Sequence, residues 1–181
     1  MSKIPVKAVT LADRPDLQPA VDALTTAGWP TFMMKDAVSK MYWNELGTTF
    51  GVFQTLLLRE TDERLIAVAN SVPLFYNGNL ENLPDAGWDW ALETGCEQRK
   101  QSIAPNMLSA LQVFIDPEFR GMGVSTVMLS LMKIPAQEMG LKHLIAPVRP
   151  PLKSLYPYVS MDEFITWKNR TGHSLDAWIR T

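Results

Sequence analysis

Short apolar runs bounded by turn residues predict the strands of this protein. A polar tip, Glu60–Glu63, separates two of the runs and suits an antiparallel hairpin. Pro117 ends another run, and a later run, Asp176–Arg180, predicts a final strand. The principal runs are Val6–Leu11, Phe50–Arg59, Arg64–Leu74, Met107–Ile115 and His143–Val148.

Apolar residues at helical spacing fill the intervals between these runs. Pro135 is expected to break or kink the most regular of these segments, because its ring clashes with the preceding turn. The residues Ser160–Glu163 form a capping box that opens the last helix. The order of elements predicts an α/β fold, a mixed sheet with helices, in a single domain over residues 1–181. The predicted helices run from Asp13 to Gly28, over Lys35–Leu46, Trp88–Lys100 and Gly123–Gly140, and from Ser160 to about Arg170.

Composition and charge exclude several classes of protein. Of the 181 residues, 46% are hydrophobic and 20% are charged, which is a globular composition. The net charge of −2 argues against a general nucleic-acid binder, which needs a strongly basic face. The start MSKIPVKAVT lacks the apolar core of a signal peptide, and the uncharged stretch Gly121–Met132 is too short to span a bilayer. Neither nucleic acid nor a membrane is therefore expected as a partner.

The cysteine and histidine content predicts neither a disulfide nor a metal site. Cys96 is the one cysteine, so no intrachain disulfide forms and a reducing, cytoplasmic compartment is expected. With no histidine near it in sequence, Cys96 is interpreted as a small buried hydrophobic residue. His143 and His173 are far apart in sequence and do not form a ligand-spaced pair, so no metal is expected.

The segment from Phe114 to Ser125 carries the most informative chemical signal in the chain. A strand ends there, a short loop supplies an arginine and two glycines, and a helix begins. Glycines allow a ligand to approach the backbone closely, and the first amides of a helix have no internal partners. These donors and the positive end of the helix dipole favour a pyrophosphate. The residues alone also allow a plainer interpretation, in which Gly121 and Gly123 only permit a tight turn.

This segment resembles motif A of the GNAT superfamily of acyl-CoA N-acyltransferases, R/Q-x-x-G-x-G/A. Arg120, Gly123 and Ser125 stand at its three specified positions, with Ser125 in place of the usual Gly or Ala. The resemblance implies a GNAT-like sheet, mixed and mostly antiparallel, and an acyl-CoA-binding core over residues 107–148. It implies acetyl-CoA, or another acyl-CoA, as co-substrate. The residues expected to bind it are Phe114, Ile115, Arg120, Gly121, Met122, Gly123, Val124 and Ser125.

The same resemblance implies direct transfer of the acyl group to an amine of a small-molecule acceptor. Many GNAT enzymes carry N-x-x-A-x-x-x-Y after the later central strand, and its Tyr protonates the departing thiolate. Tyr156 stands at the Tyr position, whereas Arg149 and Leu152 replace the Asn and the Ala. The resemblance thus implies a catalytic Tyr156, and the alternative is a ring that covers the core edge with its hydroxyl in water. Lys153 and Arg149 either contact the CoA phosphates or belong to a solvated face.

Aromatic residues are candidates for an acceptor pocket, and three carboxylates are candidates for the base. Glu60, Asp89 and Asp116 are each able to accept the amine proton, and the sequence does not choose among them. Asp89 lies between two tryptophans in the segment that separates the hairpin from the long strand. The aromatic candidates are Trp43, Phe75, Tyr76, Trp88 and Trp90.

Two alternative functions stay open. A GNAT fold that binds CoA without transfer would act as a sensor or partner subunit. An unrelated nucleotide-binding protein would use the same loop, but neither G-x-G-x-x-G nor G-x-x-x-x-G-K-[ST] occurs. GNAT domains usually end with two strands after the last helix, and only about ten residues follow Arg170 here. Either Ser174–Arg180 is a lone edge strand, or another subunit completes the sheet, or the chain is a shortened relative that lacks the usual last strand. An unpaired sheet edge invites pairing, and we therefore expect a homodimer.

Overall fold

The computed structural model describes residues 4–180, which fall into two compact units. The first unit ends at Ala146 and contains the sheet, and the second begins at Pro147. Each unit is described by itself below.

One five-stranded sheet organises the first unit, and its strands lie in sequence order. Neighbouring strands are antiparallel except the last pair, which is parallel, so the sheet is mixed and mostly antiparallel as predicted. The central strand is buried along its whole length. The strands are β1 (Val6–Thr10), β2 (Thr55–Arg59), β3 (Leu65–Leu74), β4 (Met107–Ile115) and β5 (His143–Ile145).

Helices cover both faces of this sheet. Side chains alternate between faces along a strand, so Leu56 and Leu57 pack on opposite sides. Leu56 lies in the cluster that includes Val21 of the first helix, and Leu57 lies with Met128 of the fourth. The second and third helices pack on the same face as the first, around the far end of β3. The helices are α1 (Gln18–Gly28), α2 (Ala37–Thr48), α3 (Gly87–Lys100) and α4 (Val124–Glu138).

Two predicted elements of the first unit differ from the structure for local reasons. The predicted strand from Phe50 starts only at Thr55, because buried Gln54 donates to the Phe50 carbonyl and holds a turn before β2. Pro135 does not break α4, which continues to Glu138, since the buried Ala136 keeps that turn on the core. A proline removes one helical hydrogen bond, and burial of the helix face offsets that loss.

The described part of the second unit contains a 3-10 helix over Pro151–Leu155 and one short α-helix, α5 (Met161–Thr166), which ends before the predicted Arg170. Its cap is as predicted, because the Ser160 hydroxyl accepts from the Glu163 N–H at 3.1 Å. The predicted strand Asp176–Arg180 is wrong. The buried Asp176 carboxylate accepts from the N–H groups of Leu152 and Trp178, at 2.8 and 2.9 Å, and folds this segment into turns.

Candidate active site

Strands β4 and β5 separate after three residue pairs, which leaves one edge of β4 open. The pairing runs from Met107 with His143 to Ser109 with Ile145 and stops there. Within the described chain, residues 110–115 have no partner strand on that side. An open strand edge presents N–H and C=O groups to any ligand that lies along it. The amides of an extended ligand match such an edge.

A glycine loop connects this open edge to α4. Gly121 and Gly123 have φ angles of +77° and +79°, which other residues adopt only with strain. A Cβ atom at either position would meet nothing within 4 Å. Glycine is therefore required at both positions because of the backbone conformation and not because of crowding. The space beside both glycines is open to a ligand.

The loop leads directly to the N-terminus of α4, whose N-cap residue is Gly123. The first hydrogen bond there runs from the Val127 N–H to the Gly123 carbonyl, at 3.4 Å. Gly123 has no side chain to cap the helix, so the N–H groups of Val124, Ser125 and Thr126 have no partner inside it. Unpartnered amides at the positive end of a helix dipole form an anion site. All the predicted cofactor-binding residues thus meet at one strand–turn–helix junction.

Arg120 and Phe114 have more specific surroundings than the motif indicates. The Arg120 Nε donates to the Ile115 carbonyl at 3.2 Å, and the guanidinium lies 5.5 Å from the centre of the Phe114 ring. The Phe114 ring packs on Gly28, where a Cβ atom would lie 1.5 Å from it. The side chain of Phe114 is thus a packing element, and only its backbone is available to a ligand along β4.

Asp116, one of the candidate bases, anchors the loop. Arg64 donates to it at 2.7 Å and pairs with Glu118 at 2.8 Å. Burial raises the pKa of Asp116, but the Glu118 N–H and the Arg64 guanidinium outweigh it and leave the pKa below its usual range. A carboxylate held in this way is a poor proton acceptor near neutral pH.

Asp89 has the opposite electrostatic surroundings. Burial raises the pKa of this carboxyl, and the nearby charges of Asp36 and Glu93 raise it further. The neighbouring Trp88 donates its indole N–H to the Leu111 carbonyl of β4 at 2.9 Å. Asp89 therefore directly follows Trp88, the residue that contacts β4, and β4 is the strand with the open edge.

Four of the five predicted aromatic residues form two separate pairs and not one pocket. Trp43 stacks on Trp88 with ring centres 6.0 Å apart, and Tyr76 meets Trp90 edge-on at 5.5 Å. Trp29, which the sequence analysis missed, packs on Trp43 at 4.5 Å. No local pattern around Trp29 indicates this contact, because it depends on the packing of α1 against α2.

A cavity of about 300 Å³ lies between α1, α2 and β3. Trp43 forms part of its wall, and Asp22 is the single charged residue in its lining. The Gln18 side-chain amide donates to the Asp22 carboxylate at 2.7 Å. A larger groove, of about 540 Å³, lies between β1 and the last turns of α4, at the opposite end of that helix from the glycine loop. The polar lining of the smaller cavity is Gln18, Asp22, Asn44, Thr48 and Asn70.

Tyr156 lies in the second unit, in an aromatic cluster. Its ring meets Trp167 edge-on at 4.9 Å and lies 6.0 Å from Phe164. The Lys153 ammonium donates to the Tyr156 carbonyl at 3.0 Å, which favours a local structural role for this lysine. The catalytic role of Tyr156 stays a prediction.

The part of the chain that the structure describes contains neither a candidate membrane span nor a candidate metal site. None of the helices between residues 4 and 180 combines the length and apolarity needed to cross a bilayer. Over the same range, no three His, Cys, Asp or Glu side chains come together in a way that suits a metal ion. Cys96 is fully buried, and burial raises the pKa of its thiol to about 12, as expected for a packed hydrophobic residue.

Sequence comparison finds a relative with a named activity. No protein-family model matches the chain. The arginine N-acetyltransferase avaD of Aspergillus versicolor is 32% identical over 188 residues, which cover 94% of this chain. The chain spans 64% of the length of that curated relative.

Solved structures of other proteins have folds similar to that of this chain. The loading GNATL domain of CurA from Lyngbya majuscula has a TM-score of 0.64 at 19% identity, over 99% of this chain and 81% of that one. The GphF GNAT-like decarboxylase in complex with isobutyryl-CoA has a TM-score of 0.58 at 15% identity, over 97% and 81%. The C-terminal condensation domain of Ebony, in complex with beta-alanyl-dopamine, reaches 0.54 at 13% identity, over 95% and 92%. The chain therefore has the fold of these GNAT-like structures, and its sequence is similar to that of a named N-acetyltransferase.

Proposed function

We propose that this protein is an N-acyltransferase that moves an acetyl or other acyl group from acyl-CoA to a small amine. The observation that carries the proposal is the junction of an open β4 edge, a two-glycine loop and an uncapped α4 N-terminus. The similarity to an arginine N-acetyltransferase supports the amine acceptor. Neighbours of this fold include a decarboxylase and a condensation domain, so the fold alone does not specify the reaction.

In this proposal the cofactor lies along β4, the glycine loop and the N-terminus of α4. The pyrophosphate binds the free amides at Val124–Thr126, and the pantetheine arm lies along residues 110–115 of β4. Arg120 lies where strand and loop meet, and its guanidinium is able to turn from the Ile115 carbonyl to a phosphate oxygen. The thioester end then points toward the start of the open edge, beside Leu111.

We assign the acceptor to the cavity between α1, α2 and β3. Asn70 lines this cavity and pairs in register with Gln112, one residue after Leu111. A cavity with one carboxylate and several amides suits a small cation that carries hydrogen-bond donors. Arginine, the acceptor that the relative is named for, belongs to this chemical class.

The reaction then needs two proton transfers. The neutral amine attacks the thioester carbonyl, a C–N bond forms, and the C–S bond breaks as the intermediate collapses. Asp89 accepts the amine proton, directly or through water, because its raised pKa makes it a better base than Asp116. Tyr156 gives a proton to the departing thiolate.

The test of the proposal is thiol release. Purified protein is incubated with acetyl-CoA, longer acyl-CoAs and a panel of amines that includes arginine, and free CoA is measured with a thiol reagent. Amine-dependent release, with acylated amine found by mass spectrometry, supports an enzyme. Saturable CoA binding with no release for any amine would favour the sensor or partner subunit instead.

Asp22→Asn is expected to raise the KM for a cationic acceptor by about 10-fold while kcat changes little. Hydrogen bonds to charged groups contribute about 1.5–3 kcal/mol, and tenfold corresponds to about 1.4 kcal/mol. Asp16→Asn is the control, since it removes an exposed carboxylate just before α1 that pairs with Arg14. An equal rise in KM for both variants, or none for Asp22→Asn, contradicts the assignment.

Asp89→Asn is expected to remove the acid limb of the pH–rate profile and to lower turnover at least ~10-fold at neutral pH. A base works when deprotonated, so activity is present above its pKa and is lost as the pH falls through it. Because the pKa of Asp89 is raised, this limb lies above the ordinary range of an aspartate. Asp85→Asn, at an exposed position before α3, serves as the control. An unchanged acid limb in Asp89→Asn would assign the base elsewhere.

A further inference from the structure

Three tryptophans, two in helices and one directly after a helix, form a continuous series of ring contacts on one face of the sheet. Trp29 follows α1 directly, Trp43 lies in α2 and Trp88 lies in α3. The ring centres of Trp29 and Trp43 are 4.5 Å apart, and those of Trp43 and Trp88 are 6.0 Å apart with planes at 20°. We call this set the tryptophan bracket.

Both ends of the tryptophan bracket donate to β4, at consecutive residues. The Trp88 indole N–H donates to the Leu111 carbonyl at 2.9 Å. The Trp29 indole N–H donates to the side-chain oxygen of Gln112. The amide nitrogen of Gln112 in turn donates to Asn70, at 3.2 Å. Two indole donors, one directly after α1 and one in α3, thereby bond to β4 at one point.

That point is a β-bulge. Asn70 pairs with Gln112 and the next residue of β3, Ser71, pairs with Ala110, so Leu111 is the extra residue of β4. A bulged residue has no place in the regular ladder, and the Leu111 carbonyl finds its partner in Trp88 instead. The bulge lies two residues past Ser109, where β5 ends its pairing. It therefore sets the direction in which the open edge leaves the paired part of the sheet.

We propose that the tryptophan bracket fixes the β4 bulge and thereby aligns the thioester end of the cofactor with the acceptor cavity. The inference rests on the proposed function, in which the pantetheine arm follows the open edge. Trp43 and Asn70 both line the cavity, so the same contacts shape the acceptor wall and hold the strand. Trp29 and Trp88 are positioning residues, since they act through Leu111 and Gln112. Rates depend steeply on such alignment, because displacing reacting groups by ~1 Å can cost ~10²-fold.

The test uses Trp88→Phe, which keeps an aromatic ring beside Trp43 and removes the indole donor. We expect kcat to fall roughly tenfold while the dissociation constant for CoA changes less than about threefold, since the glycine loop is untouched. We also expect faster amide hydrogen exchange in the peptide covering residues 107–115, measured without cofactor. Trp90→Phe is the control, because it changes the same helix where the ring packs on Tyr76. Trp29→Phe tests the other end of the bracket and is expected to give the same pattern.

The outcomes separate this inference from the proposed function. A wild-type protein that neither binds acyl-CoA nor releases thiol rejects the proposed function, and the positioning role is rejected with it. An active wild type with unchanged kcat and unchanged exchange in Trp88→Phe rejects the tryptophan bracket alone. The bracket is also rejected if Trp90→Phe lowers kcat and speeds exchange as much as Trp88→Phe does. A kcat loss and faster exchange confined to Trp29→Phe and Trp88→Phe support it.

Discussion

Gly123→Glu is expected to abolish acyl-CoA binding, with a loss of affinity of at least ~100-fold. A carboxylate at this position would lie beside the free amides of Val124–Thr126, where the pyrophosphate is proposed to bind. Like charges about 4 Å apart near a protein surface repel by up to about 4 kcal/mol, and each tenfold in affinity is about 1.4 kcal/mol. Wild-type protein should melt at a higher temperature with acetyl-CoA, and the variant should show no such shift.

Gly140→Glu provides a matched control for this prediction. Gly140 follows the other end of α4, has a φ angle of +67°, and is as open as Gly123, with no atom within 4 Å of an added Cβ. Both variants therefore carry the same charge and a similar backbone strain. If Gly140→Glu also loses the thermal shift, the effect comes from general damage to α4. If Gly123→Glu still binds CoA with wild-type affinity, the anion does not bind at this helix terminus.

Elements set by local chemistry could be predicted from the sequence. Strand β4 has the predicted bounds, because Met107–Ile115 is strongly apolar and Pro117 stops it. The hairpin of β2 and β3 follows from its polar tip. The glycine loop was also predictable, since positive φ angles at Gly121 and Gly123 are a property of the backbone at those positions.

The other features depend on contacts between distant residues. The predicted last strand fails because the Asp176 carboxylate bonds the Leu152 N–H, 24 residues away in sequence. The bulge at Leu111 is held by Trp88, 23 residues earlier, and nothing in the sequence of β4 marks it. The cavity proposed for the acceptor joins Asp22 to Asn70 across α1, α2 and β3, so no motif contains both. The expected homodimer stays a prediction.

The glycine loop depends on local sequence and the cavity depends on distant contacts, and this difference matches the roles proposed for them. In the proposed function, the glycine loop binds a part of CoA that does not vary with the acyl group, and a short motif is sufficient for that. The cavity proposed for the acceptor would distinguish one amine from another, and its lining comes from segments that can change independently of the loop. Neighbours named as a decarboxylase and a condensation domain are consistent with such variation on one fold.

Tyr156→Phe is expected to lower acyl transfer by about 10²-fold and to leave CoA affinity nearly unchanged. A thiolate leaves more easily when a positioned acid protonates it, and such an acid contributes ~10²–10⁴-fold in rate. The substitution keeps the ring that packs on Trp167 and Phe164. The ring contacts do not involve the hydroxyl, so its removal should change the melting temperature little. Turnover with the best amine of the panel and CoA binding by calorimetry are both measured.

Tyr158→Phe is the matched control, because Tyr158 lies two residues later and its side chain is fully exposed. A loss of kcat in Tyr156→Phe alone, with folding and CoA binding retained, would assign the hydroxyl to the chemical step, since a packing role predicts a change in stability instead. Equal turnover in both variants and the wild type would remove Tyr156 from the mechanism and leave its ring as part of the aromatic cluster.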